Sequence, residues 1–139
     1  MEKSLSAFEP VAAPVGRAFV ALLFIGAGWG KITGYSGVAG YMEMMGVPSL
    51  LLPLVILLEL GGGLMLLVGY QTRLIALLLA GFSLLSGALF HLVPSFGMEG
   101  MAAQNEMTHF MKNLALTGGL GFILAYGAGA FSLDKRKSS

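Results

Sequence analysis

The chain contains no cysteine. Disulfides, thiolate metal centres and Cys-x-x-Cys relays are therefore excluded, and with them every redox mechanism based on a thiol. Charge is nearly as scarce. Only 11% of the 139 residues are Asp, Glu, Lys or Arg, against about 25% in a typical soluble domain. The net charge is +1, and no basic patch with interleaved aromatics offers a surface to nucleic acid. No internal repeat, low-complexity linker or stretch suited to a separate soluble domain is visible, and no metal site is assigned.

What the chain has instead is apolar length. Hydrophobic residues make up 56% of it, and the mean hydropathy is +0.83. Four runs, at about 15–32, 49–70, 74–93 and 110–131, approach or exceed the 20 or so helical residues needed to cross a hydrocarbon core about 30 Å thick. The expected fold class is all-α: a single integral membrane domain, 1–139, forming a four-helix bundle. The first run is read as a span and not as a cleaved leader, because it is long, starts late and is followed by Lys31 without a clear small-x-small cleavage site.

Four spans put both termini on one side. Placing them in the cytoplasm collects Lys3, Arg17, Arg73, Lys135, Arg136 and Lys137 there and leaves Lys31 and Lys112 outside, the asymmetry that cytoplasmic loops show. The turn 69–73 is short enough to make the second and third spans an antiparallel hairpin. The outer connections are longer. One runs through Gly34, Gly37, Gly40 and Gly46 to Pro48; the other, 94–108, mixes Phe96, Met98 and Met101 with Glu99 and Glu106 and reads either as a surface-lying amphipathic helix or as a plain crossover. Most of the 21 glycines are expected to serve close helix packing, as small residues do where no hydrophobic force drives helices together.

Each run also carries an ionisable group at a position where burial in lipid is expensive, roughly 2.5–3.5 kcal/mol at the centre on insertion scales. At 100° per residue Arg17, Ala21, Phe24, Gly28 and Lys31 share one stripe of the first span. In the third span His91 follows Gly87, Ser83 and Ala80 on one face, and in the fourth His109, Asn113, Thr117 and Gly121 align at i, i+4 spacing. Lys31, His91, His109 and Lys112 lie near the outer ends, where long side chains can reach the headgroups. Glu59 lies about ten residues, or ~15 Å, from the outer start of its span, near the midplane. Unpaired, its carboxyl would be protonated; paired with a cation of the first span it can stay ionised, and Lys31 is preferred for that, with Arg17 on the same stripe as the alternative. On the inner side Arg17 and Arg73 have Asp134 available. The candidate ligand site is Lys31, Glu59, His91, Lys112 and Asn113, lining one cavity with Glu59 at its floor; the inner polar network is Arg17, Arg73 and Asp134.

Several stretches together resemble the DoxX family of small four-helix bacterial membrane proteins. They are Gly16-Arg-Ala-Phe19, Gly28-Trp-Gly-Lys-Ile-Thr-Gly34, Leu58-Glu-Leu-Gly-Gly62, Gly69-Tyr-Gln-Thr-Arg73, Phe90-His91, Phe110-Met-Lys-Asn-Leu-Ala-Leu116 with Thr117-Gly118-Gly119, and Gly127-Ala-Gly-Ala-Phe-Ser-Leu-Asp134. The resemblance covers nearly the whole chain, in order. It implies a bacterial inner-membrane location and a link to respiratory or redox complexes. Thiol relays of distant relatives cannot carry over to a chain without cysteine. The outer position of both histidines argues against a bis-histidine haem buried in the bundle.

Three functional readings follow. The first is an accessory subunit or anchor, not catalytic on its own, whose polar cluster holds a quinone headgroup or orients a redox-complex partner; Lys31, His91, Lys112 and Asn113 supply the donors that a quinone requires. The second is a structural or assembly factor with a stabilising ion-pair network. The third is a proton-coupled small-solute carrier titrating Glu59. With no inverted repeat in so short a chain, such a carrier would have to be a homo-oligomer.

Overall fold

The computed structural model describes residues 2–137, with side chains from Ser4 onward; Lys3, one of the six cations assigned to the cytoplasmic side, thus lies outside the described side chains. Every regular element among the described residues is helical. Helix α1, Glu9–Thr33, continues a 3₁₀ turn, Ser6–Phe8, and a four-residue helix, Glu2–Leu5. Then come α2, Tyr35–Met44; α3, Ser49–Val68; α4, Thr72–Ser95; α5, Gly100–Tyr126; and the short α6, Leu133–Lys137.

Three helical stretches are long and apolar enough to cross a membrane: Ser6–Thr33, Ser49–Val68 and Thr72–Ser95. They correspond to the first three expected runs. Most of their large apolar side chains, such as Leu22, Leu54, Leu57, Leu77 and Leu85, lie on the outside of the protein, where a bilayer and not water can accept them. The buried core is small: Ala21, Phe24, Leu66, Ile75, Ala76, Leu79 and Leu120.

Both outer connections differ from the sequence reading. The glycine-bearing stretch after α1 folds into α2, which the Ser49 hydroxyl secures at its far end by hydrogen bonding to Glu43, at 2.5 Å. Most of the second connection is the first third of α5, so only 96–99 bridge α4 and α5. Neither a surface helix nor a crossover forms there, because residues 100–108 extend the helix that packs along α4. At its other end α5 stops at Tyr126, short of the expected 131. Gly127 and Gly129 adopt positive φ, +83° and +72°, and turn the chain back under the helices.

Glycine packing is also more selective than expected. A methyl group on Gly28 would come within 2.8 Å of the Leu60 backbone and side chain, and one on Gly63 within 3.0 Å of the Ile25 backbone. These two positions let α1 and α3 touch backbone to backbone. Gly87 gives the same clearance to Asn113 of α5. Gly26, Gly30, Gly118 and Gly119, by contrast, face open space; for Gly26 and Gly30 the 3.6-residue period turns them away from the contact stripe that Gly28 occupies. Gly28→Ala is expected to destabilise the protein by about 1–3 kcal/mol through overpacking, whereas Gly26→Ala should be neutral or slightly stabilising, as replacing a helix-interior glycine is by about 0.5–1 kcal/mol. Thermal unfolding of the two variants in the same detergent compares them; equal melting temperatures would contradict the close α1–α3 contact.

Candidate functional site

The α1–α3 contact carries an ion pair. Lys31 Nζ lies 2.7 Å from Glu59 Oε2. Glu59 is 4% exposed, and the Lys31 side chain 26%. Of the two cations on the α1 stripe, the one on the far side of Gly28 from the termini thus holds the carboxylate. Arg17 is occupied elsewhere.

Glu59 sits within a widened, π-helical turn, Leu57–Gly61, and His91 within a second, Ala88–Leu92. Such turns often occur at functional sites. The second has a local cause. Pro94 has no N–H to give the carbonyl four residues back, and its ring crowds that carbonyl, so the helix widens just before it.

His91 Nδ1 is 2.7 Å from Glu106 Oε2, and the His91 ring stacks on His109 with centroids 5.0 Å apart. An ionised carboxylate only accepts, so with Glu106 in that form Nδ1 is the donor of this contact. In the sequence Glu106 falls in the outer connection, which reads either as a surface helix or as a crossover. Its spacing to His109 and Asn113, three and then four residues, was the signal that all three share a helix face.

Lys31, Glu59, His91, Lys112 and Asn113 line one cavity of about 260 Å³. Its apolar walls include Phe24, Phe82 and Phe90, and Val38, Tyr41 and Met42 of α2 close one side. Tyr41 also packs on Phe90, with ring centroids 5.7 Å apart. Tyr41, Ser83 and Ser86 are polar lining residues that the sequence reading missed. Tyr41 lay in a stretch read as a loop, and Ser83 was noted only as a small residue below His91. Lys112 is exposed at the cavity edge and forms no ion pair among the described residues. The described residues contain no group of three or more His, Cys, Asp or Glu placed to hold a metal ion.

The network assigned to the inner side is arranged differently from the expected ion pairing. Arg17, 3% exposed, donates from its guanidinium to the main-chain carbonyls of Ala128 and Phe131, the latter at 2.9 Å. Asp134 accepts from the backbone N–H groups of Gln71 and Thr72, at 2.9 and 2.8 Å, and thereby caps the start of α4 from 62 residues away. Burial alone would raise the Asp134 carboxyl's pKa, but hydrogen bonds from Thr72 and Gln71 and the charge of Lys137 outweigh it and hold the group below the ordinary carboxylate range. Arg73 is exposed, its guanidinium beside Gly127. The main chain meets these charges because residues 127–132 are not helical and so offer carbonyls that a continuing span would have used internally.

The Lys31–Glu59 geometry makes a direct prediction. Glu59→Ala strands a cation between α1 and α3 and should destabilise the protein by about 3 kcal/mol, the lower end for a broken buried pair because Lys31 is partly exposed. Glu59→Gln, which keeps the shape and a hydrogen-bonding oxygen, should cost less. Unfolding in detergent measures both; an Ala variant as stable as the parent would mean that the pair is not what holds the helices.

The DoxX family matches residues 12–92. Inner membrane protein YqjF of Escherichia coli strain K12 is 50% identical over 127 residues, covering 91% of this chain and 92% of its own. Inner membrane protein YphA of the same strain is 31% identical over 132 residues, covering 94% and 93%. No solved structure matches the chain. With the family match spanning more than half of its length, a relative at 50% identity along nearly all of it and three helices able to span a bilayer, the chain belongs to the DoxX family and is a bacterial inner-membrane protein.

Proposed function

We propose that the protein is a four-span bundle that serves as a membrane-embedded accessory subunit or anchor, non-catalytic on its own, whose cavity receives the ring of a quinone. One observation carries this reading: unpaired or half-used donors, Lys112, Asn113 and Lys31, converge on a cavity of about 260 Å³ walled by three phenylalanines. A flat ring with carbonyl oxygens fits such a site, with an apolar tail left to the lipid. Docking to a redox complex would follow from that cargo.

The fourth span in this reading is α5. Its 27 residues reach ~40 Å at 1.5 Å per residue, enough to cross the core. Its hydropathy is diluted by Glu106, His109 and Asn113, but these face α4 and the cavity, while Met111, Leu114 and Phe122 lie outside. Both termini are then cytoplasmic by the distribution of Lys and Arg. A reporter that is active only in the cytoplasm, fused after Ser139, should be active; an inactive but fully expressed fusion would reverse the orientation or remove a span.

The cargo is tested by purification in mild detergent and solvent extraction. The parent protein should yield bound quinone. Lys112→Ala should yield at least several-fold less at an unchanged melting temperature, since Lys112 is exposed and forms no ion pair among the described residues. A parent protein free of quinone would sink the reading in favour of a structural or assembly factor. The Lys31–Glu59 contact across α1 and α3 is the observation that favours that second role.

A further inference from the structure

Two buried hydroxyls of α4, those of Thr72 and Ser83, have no hydrogen-bond partner among the described residues, and of the two it is Ser83, 2% exposed, that lies on the cavity. A serine or threonine in an apolar helix normally bonds back to a carbonyl three or four residues earlier. Thr117 does so to Asn113 at 2.8 Å, Ser95 to Leu92 at 2.6 Å, and Ser86 to the carbonyl of Ser83 itself at 3.3 Å. A buried hydroxyl left unpaired is destabilising and calls for a partner that the protein alone does not supply. Ser83 lines the cavity.

Its level in the fold indicates what that partner meets next. Gly62 of α3 packs on Leu79 of α4, so Glu59, one turn from Gly62 in the antiparallel helix, comes level with Ser83. One turn beyond Ser83 on α4 is Gly87, and the Asn113 side chain fills the space beside it. The Asn113 carboxamide makes no side-chain hydrogen bond among the described residues. Ser83 and Asn113 are thus two open polar groups on neighbouring levels of one cavity, with Phe82 and Phe90 on its walls.

We propose that Ser83 is a ligand-binding residue that hydrogen-bonds one oxygen of a dioxygenated ring held in the cavity. The assignment rests on the quinone reading above and adds the ring's depth to it: Ser83 holds the oxygen that lies level with Glu59. A hydroxyl can donate or accept, so Ser83 accommodates carbonyl and hydroxyl forms of the ring alike.

The test uses the full-length protein, stripped of bound lipid-soluble ligand in detergent, with a short-tailed benzoquinone as the probe and calorimetric titration as the readout. Ser83→Ala should weaken binding about 3- to 10-fold, the size of one neutral hydrogen bond. In the ligand-free state the same variant should melt at a temperature equal to or higher than the parent, because an orphaned hydroxyl has been removed. Binding by the parent with unchanged affinity in Ser83→Ala would overturn this assignment and leave the quinone reading intact. No binding by the parent would overturn both. A Ser83→Ala variant that melts lower without ligand would assign the hydroxyl to the fold and overturn the inference as well.

Discussion

A carboxylate at mid-membrane depth cannot be left facing lipid, and the rest of this structure follows from how Glu59 is accommodated. To stay ionised it needs a cation within contact distance. Lys31 provides that at 2.7 Å, but only because α1 and α3 approach until Gly28 meets Leu60 and Gly63 meets Ala21 and Ile25. The pair and the glycines are thus one device. The glycines permit the approach, the pair fixes its register, and the register sets where a cavity can open between these helices and α4 and α5.

The two ends of the molecule then use charge in opposite ways. At the end near the termini, Arg17 and Asp134 are spent on main-chain carbonyls and N–H groups, and they tie the C-terminal segment to α1 and to the start of α4. This end is closed by structure. Toward the other end Lys112, Asn113 and Ser83 have side-chain polar groups with no partner among the described residues, while one nitrogen of His91 is used on Glu106. An apolar chain with so few polar groups leaves several of them open in one place. That concentration is why the proposed function is located there and not at the arginine end.

Much of the site was legible in the sequence, for a simple reason. Ionisable residues in apolar runs are costly, and helical periodicity states which of them share a face. Lys31, Glu59, His91, Lys112 and Asn113 were found in this way, and they do line one cavity. The residues that were missed gave weaker signals. Tyr41 sits in a glycine-bearing stretch that reads as a loop, since glycine lowers helix propensity and α2 is held by packing and by the Ser49–Glu43 contact. Ser83 is an ordinary small residue until its missing hydrogen bond is seen. Glu106 was visible as an acid, but not as the partner of His91.

What the sequence determined by itself was the helical class, the apolar runs, of which three form helices long and apolar enough to cross a membrane, the hairpin between α3 and α4, the family and Lys31 or Arg17 as the cations open to Glu59. All of these depend on local composition and spacing, which are written along the chain. The tertiary structure decided which cation that is, which glycines are contacts and which face outward, and that residues 127–134 fold back to satisfy Arg17 and to cap α4. Those outcomes depend on the rotation and register of one helix against another, and helical period alone leaves both free until backbones touch.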